Sequence, residues 1–339
     1  MTTGSLPPRG AGSLATDRTA AGATVSQGLL ERMKAGPVLG DGGYLIELER
    51  RGYVRSGSDQ EKVGTGKGSG TFTPEVAIEH PDALLGLHLE FVRAGADAIQ
   101  ALTFFGTRTK LDRAGYGKEA ERINHAAVKI ARKAAGTSLV AGSVSRTQLV
   151  ERNEPDALSA ARDHLKEQIG FLRDAGVDFL ILETFFHVSE MKIAIEEARK
   201  TNLPIVATYS TRPKVDETTD GVKAWEACKI AAAEGAHAVG LNCEQEPARM
   251  LPVLKKIREA VPANIHIAAQ PAAFRTTDAF PCFTKLPEFP DALEALQLPR
   301  SEFVEFGRAG KREGIRYVGA CCGANAAYIR ALKKGLTVS

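Results

Sequence analysis

The sequence predicts an α/β chain folded as a single-domain (β/α)8 TIM barrel, and three observations carry that prediction. Short apolar runs alternate with amphipathic stretches along most of the 339 residues. A helix-closing phrase, Ala-Gly or Glu-Gly followed within two residues by an apolar run, recurs along the chain. The polar residues best suited to chemistry fall at the C-terminal ends of those runs, where the active sites of such barrels sit.

The elements follow in order. A first strand at about 37–41 ends in Asp41-Gly42-Gly43. An amphipathic stretch at 81–93 closes at Ala94-Gly95 and leads into a strand at about 97–103. Glycine at a helix C-terminus takes the left-handed backbone that turns the chain into the next strand. A helical stretch at 119–135 precedes the third strand, 138–143, and another at 157–174 closes at Ala175-Gly176 before the fourth, 178–183. The fifth strand is 204–209. Glu234-Gly235 introduces the sixth, 237–242, and the helical stretch 248–260 precedes the seventh, 264–270. Glu313-Gly314 introduces the eighth, 315–320. Near-continuous apolar strands alternating with helices indicate a parallel sheet buried on both faces. Eight repeats favour a closed barrel over the alternative, an open doubly wound sheet.

Composition narrows the function. Hydrophobic content of 43% and charged content of 25% are ordinary for a globular protein. A net charge of +3 from scattered basic residues gives no nucleic-acid or membrane surface. No apolar run approaches the roughly 18 residues of a membrane span. Five cysteines are an odd number and too sparse for a disulfide framework, which points to a reducing, cytoplasmic setting. Residues 1–26 lack an apolar core and read as a disordered tail, a transit peptide being the alternative. The barrel is expected over 27–335. A Gly/Ser-rich stretch at 56–71 is either a lid or a solvated loop. It is no phosphate loop, because Gly66-Lys67 is followed by Gly68.

Three of the five cysteines lie at strand ends, in Gly240-Leu241-Asn242-Cys243 and Gly319-Ala320-Cys321-Cys322-Gly323. Cys228 and Cys282 read as small buried hydrophobes. Spacing alone leaves Cys243, Cys321 and Cys322 open between core and metal, since no CxxC pair is present. Three thiolates suit zinc and leave a fourth position for a substrate thiol. Asn242 is either a donor to a ligand thiolate or a strand-end cap. Asp41 and Glu183 are rim acids suited to an ammonium group, with a loop cap as the other reading of Asp41. Gln100 and Thr103 share the predicted rim. The seven histidines form no HExxH motif.

At these residues the chain resembles the zinc-dependent homocysteine S-methyltransferases, and among them the betaine–homocysteine methyltransferases. The likeness runs from about Gly28 to Ala331. It rests on Gly40-Asp41-Gly42-Gly43, Glu49-Arg50-Arg51-Gly52-Tyr53-Val54, Phe72-Thr73-Pro74-Glu75 and Glu79-His80-Pro81. Phe91-Val92-Arg93-Ala94-Gly95, Leu286-Pro287-Glu288-Phe289-Pro290 and the two cysteine motifs complete it. The resemblance implies a barrel that methylates homocysteine to methionine, with Zn2+ held by Cys243, Cys321 and Cys322. It implies that Asp41, Gly42 and Glu183 hold the homocysteine backbone, with Gln100, Thr103 and Asn242 completing the substrate-binding set. The implied partners are homocysteine and a small methyl-onium donor, with a homo-oligomer open.

Departures concern the donor. Betaine-using relatives surround the quaternary ammonium with a tryptophan and two tyrosines. Phe72, Phe105 and Thr184 stand at those positions here, with Phe104 beside them. Ala101 stands where the family usually has threonine. Glycine betaine or a related quaternary ammonium is the leading expectation. A sulfonium (S-methylmethionine or a thetin) or another methylated amine is the alternative. A zinc-binding sensor or scaffold without catalysis is the expectation of another class.

Overall fold

The computed structural model describes residues 27–53, 75–152, 155–290 and 292–337. The expected tail at 1–26, the Gly/Ser-rich stretch at 56–71 and Phe72 lie outside the described residues.

Eight parallel strands form one sheet: β1 (Val38–Leu39), β2 (Ala98–Ala101), β3 (Leu139–Ser145), β4 (Phe179–Phe185), β5 (Ile205–Tyr209), β6 (Ala238–Asn242), β7 (His266–Gln270) and β8 (Tyr317–Val318). Their spatial order is β1-β8-β7-β6-β5-β4-β3-β2, the cyclic order of a (β/α)8 barrel. Helices alternate with the strands: α1 (Leu29–Ala35), α2 (Leu45–Arg50), α3 (Val76–Glu79), α4 (Pro81–Ala94), α5 (Arg108–Arg113) and α6 (Ala120–Ala135). They continue with α7 (Ala157–Asp174), α8 (Val188–Arg199), α9 (Ala224–Glu234), α10 (Pro247–Ala260), α11 (Arg300–Arg312) and α12 (Ala326–Thr337). The helix-closing glycines behave as expected, with φ of 100° at Gly95 and 112° at Gly235.

Two cores follow from the alternation of side chains along each strand. Val38, Ala98, Ala141, Phe179, Ile181, Val206, Ala268 and Tyr317 belong to one cluster, which fills the barrel. Leu29 and Met33 of α1 join that cluster. Arg32 of α1 donates to the carbonyls of Asp97 and Thr137, just before β2 and β3, so α1 plugs the N-terminal mouth. The second core, including Ile99, Val140, Leu180 and Val239 with Leu87, Leu172 and Met191, lies between strands and helices.

β1 and β8 are shorter than the sequence suggests. Their outer residues leave the regular ladder yet stay bonded one by one: Gly40 N to Val318 O at 2.8 Å, Gly319 N to Ala269 O at 2.9 Å and Ala320 N to Asp41 O at 2.9 Å. β2 ends at Ala101, so Thr103 lies just past it. No helix among the described residues is long and apolar enough to cross a membrane.

Candidate active site

The C-terminal rim of the barrel surrounds a cavity of about 400 Å³. Cys243 follows β6, and Cys321 and Cys322 follow β8. Cys322 Sγ lies 3.7 Å from Cys243 Sγ and 3.8 Å from Cys321 Sγ, and all three sulfurs fall within 4.8 Å of one another. A tetrahedral ion with sulfur at about 2.3 Å sets its ligands about 3.8 Å apart, so the trio fits a thiophilic metal. Left to themselves the thiols share charge unequally. Hydrogen bonds with Cys243 and Cys321 pull the Cys322 thiol well below its ordinary range, against its burial. Hydrogen bonds with Cys243 and Cys322 push Cys321 up.

Backbone conformation builds the trio. Cys243 and Glu244 have φ of 59° and 54°, a left-handed turn that L-residues seldom adopt. The turn is fixed by Cys243 N on Gln270 O at 2.8 Å and by Phe283 N on Glu244 O at 3.0 Å. On the other side, the chain after β1 runs against the Cys321-Cys322 turn. A Cβ on Gly43 would lie 2.7 Å from Cys321 O and 3.0 Å from Cys322 Cα, and one on Gly42 would lie 2.1 Å from Ala324 O. Only glycine permits that approach, which gives the Asp41-Gly42-Gly43 motif its physical reason.

Of the expected substrate residues, Gly42, Gln100 and Glu183 line the cavity. Glu183 accepts from Ser143 Oγ at 2.5 Å and from Asn242 Nδ2 at 3.3 Å. Burial raises its pKa from 4.5 to about 8, with the Ser143 hydrogen bond opposing. Asp41 is fully buried behind the wall. Its Oδ2 accepts from Tyr44 Oη at 2.5 Å and from Gln100 N at 2.6 Å, while Oδ1 has no partner among the described residues. Burial raises its pKa to about 7, against the Tyr44 hydrogen bond. Tyr44 also meets His88 Nδ1 at 2.9 Å, and burial lowers the His88 pKa to about 3, so the imidazole is neutral.

Two expected contacts lie elsewhere. Thr103 is buried off the cavity wall, its hydroxyl donating to Ser143 O at 2.7 Å, because β2 has already ended and the chain has turned in. Asn242 does not face the thiols. Its Oδ1 accepts from Thr184 N at 2.8 Å and Thr208 Oγ1 at 2.9 Å, and its Nδ2 donates to Thr184 Oγ1 at 2.7 Å.

The expected donor residues Phe104, Phe105 and Thr184 line the cavity. The two rings meet edge to face, 4.7 Å apart. Lys110 Nζ sits 5.2 Å from both ring centroids and donates to Ser145 Oγ at 2.6 Å. Burial, then the charge of Arg146, lowers its pKa to about 7. Lys110, Tyr44, Ser143, Glu244, Arg113 and Arg146 are site residues that the sequence did not announce. They carry no spacing signal, and only the fold brings them to one rim. A second group, Glu151, His187 and Glu190, also gathers ligand atoms within 4.8 Å; there Arg146 Nε engages Glu151 at 2.7 Å, and the Thr147 hydroxyl engages Glu190 at 2.6 Å.

Residues 38–336 match the family model described as homocysteine S-methyltransferase. Betaine–homocysteine S-methyltransferase 1 from Xenopus laevis is 37% identical over 326 residues, covering 91% of this chain and 75% of that protein. An S-methylmethionine–homocysteine S-methyltransferase from Pongo abelii is 34% identical, covering 91% and 81%. Among solved structures, the metallated form of the homocysteine methyltransferase MmuM from Escherichia coli shares the fold, with a TM-score of 0.67 at 21% identity, covering 88% of this chain and 95% of that one.

Proposed function

The chain belongs to the homocysteine S-methyltransferase family and methylates homocysteine; from that premise we propose that it is zinc-dependent and takes its methyl group from glycine betaine or a related quaternary ammonium. The observation that carries the reading is the convergence of Cys243, Cys321 and Cys322, with Sγ separations of 3.7 and 3.8 Å, on a cavity of substrate size. These three residues would hold zinc. When bound, zinc supplies a Lewis acid that keeps a thiol of ordinary pKa about 8.5 deprotonated at neutral pH.

The chain's own residues do the positioning. Glu183 faces the cavity as acceptor for the homocysteine ammonium, fixed in place by Ser143 and Asn242. The unpartnered Oδ1 of Asp41 is a second acceptor next to that wall. Gly42 and Gly43 bring the β1 turn against the cysteine pair and so set the distance between amine site and sulfur site. Phe104 and Phe105 form an apolar, polarisable surface for the donor methyl groups and exclude water. As the sulfur–carbon bond forms the carbon–nitrogen bond breaks, and its electron pair leaves with a neutral amine. No residue has to supply a proton, because the leaving amine departs neutral. Holding the two reactants in line is the main contribution.

The test is mass-spectrometric detection of methionine from zinc-loaded protein, homocysteine and glycine betaine, with S-methylmethionine in parallel. Methionine with dimethylglycine supports the quaternary ammonium. Methionine from S-methylmethionine alone replaces it with a sulfonium, the second reading, which Thr184 favours by standing in place of an aromatic.

A further inference from the structure

A buried ammonium sits behind the aromatic wall of the cavity. Phe104 and Phe105 line the cavity, whereas Lys110, on α5, packs over both rings from within the protein, with Nζ 5.2 Å from each centroid. Nζ donates to two neutral oxygens, Ser145 Oγ at 2.6 Å and Phe104 O at 3.2 Å, and Ser145 Oγ donates in turn to Phe104 O at 2.5 Å. This triangle ties the Phe104-Phe105 turn to the end of β3. Lysine is seldom buried so completely. Burial, then the charge of Arg146, lowers its pKa to about 7, while the charges of Glu190, Glu151 and Glu183 hold it up. Lys110 is therefore a cation at and just below neutral pH.

A donor onium resting on the cavity side of these rings, within about 6 Å of a centroid, would share them with a resident positive charge. The two cations would stand about 10 Å apart, and at an effective dielectric of about 20 their repulsion weakens binding on the order of 10-fold. That repulsion fades during the reaction. As sulfur bonds to the methyl carbon, the bond to the donor atom breaks, its electron pair stays on the leaving group, and the donor's positive charge disappears. A fixed cation thus opposes the bound donor more than the half-neutralised transition state. We propose that Lys110 is a positioning residue for the donor, pinning the Phe104-Phe105 wall and, through it, weakening onium binding while speeding methyl transfer. This rests on the onium reading above and adds a residue that sets how tightly that donor is held.

The experiment compares each donor with its neutral carbon isostere on zinc-loaded full-length protein at about pH 6.5, just below the titration of Lys110. Glycine betaine is paired with the tert-butylacetate ion, and S-methylmethionine with homoleucine. Single-turnover kinetics separate donor affinity from the rate of transfer, and inhibition gives the affinity of the isostere. Lys110→Met should tighten donor binding about 10-fold and slow transfer about 3-fold, with isostere affinity unchanged within about threefold. Lys110→Arg keeps the charge and should keep the wild-type ratio of donor to isostere affinity. Ser145→Ala loosens the turn but keeps the ammonium, so it should shift both ligands together. Equal shifts for donor and isostere in Lys110→Met, or weaker donor binding there, would show a merely structural role and overturn the proposal while methionine formation upholds the onium reading. No methionine from either donor with the wild-type protein overturns the onium reading, and this proposal with it.

Discussion

Asn242 grips Thr184 from two sides, accepting its backbone N–H at 2.8 Å and donating to its hydroxyl at 2.7 Å. Thr184 has φ of 59°, a conformation that β-branched residues avoid and that costs about 1–3 kcal/mol. One amide side chain thus holds a strained residue on the cavity wall, and its Nδ2 also reaches Glu183 at 3.3 Å. Asn242→Ala should lower stability by about 2–4 kcal/mol and weaken homocysteine binding through Glu183. Thermal denaturation and the homocysteine KM check both parts. Asn242→Asp should keep the acceptor bonds but lose the donor side.

Thiol substitutions should separate the five cysteines. Alanine at Cys243, Cys321 or Cys322 should abolish both stoichiometric zinc by elemental analysis and methionine formation. Cys228 is buried in α9 with Sγ 3.7 Å from Gly240 O, away from the trio. Cys228→Ala should keep the metal and cost about 1 kcal/mol. Full turnover in a zinc-free triple variant would falsify the metal mechanism.

Gly43→Ala tests the backbone approach. The added methyl must push against Cys321 O and Cys322 Cα, which are main-chain atoms with nowhere to rotate. Zinc affinity should drop about 10- to 100-fold, the range for residues that support metal ligands. Competition with a chelator of known affinity measures it. Unchanged affinity would mean that the turn after β8 yields freely.

Glu183 gives a pH dependence whose sign is fixed. Its carboxyl ionises near 4.5 when unfolded and near 8 in the fold, so between those values the native state binds more protons. Its contribution to stability is therefore complete below about pH 4.5 and is lost as pH rises through about 8. Asp41, raised to about 7, acts in the same direction. Urea denaturation of metal-free protein should show stability declining across this window. Glu183→Gln should remove up to about 5 kcal/mol of that decline. A parallel slope in the variant sinks the assignment.

Phe105→Tyr and Thr184→Tyr restore the aromatics of betaine-using relatives. If quaternary ammonium binding is limited by weak rings, the paired change should lower the betaine KM about 3- to 10-fold. Steady-state kinetics decide, and an unchanged KM removes the aromatic-cage argument.

The barrel and the convergence of Cys243, Cys321 and Cys322 were legible because both rest on local signals: alternating apolar runs, glycines at helix ends and cysteines at strand ends. Gly42, Gln100 and Glu183 line the cavity as their strand-end positions suggested, whereas Asp41 is buried behind its wall. Thr103 and Asn242 do not line it, because a strand-end position fixes where a backbone goes but not which neighbour a side chain prefers. Asn242 bonds to Thr184, 58 residues away, and that partner appears only when β4 and β6 close over β5. The arginines were invisible for a related reason. Arg113 and Arg146 look like solvated surface charges until α5 and the segment after β3 fold against one cavity.

The barrel order lists β1 and β2 at opposite ends, and the seam between them is stitched by single bonds rather than a ladder. Asp97 N reaches Leu39 O at 2.7 Å, and the Asp41 carboxylate takes Gln100 N at 2.6 Å. The opposite edge of β1 waits for β8, which also brings Cys321 and Cys322. During synthesis the ribosome releases β8 last of the eight strands, so the thiol cluster cannot assemble on a partly made chain. Gathering of the three thiols is in that sense a completion check: a nascent barrel that has not yet closed has neither its last staves nor the sulfur cluster proposed to hold zinc.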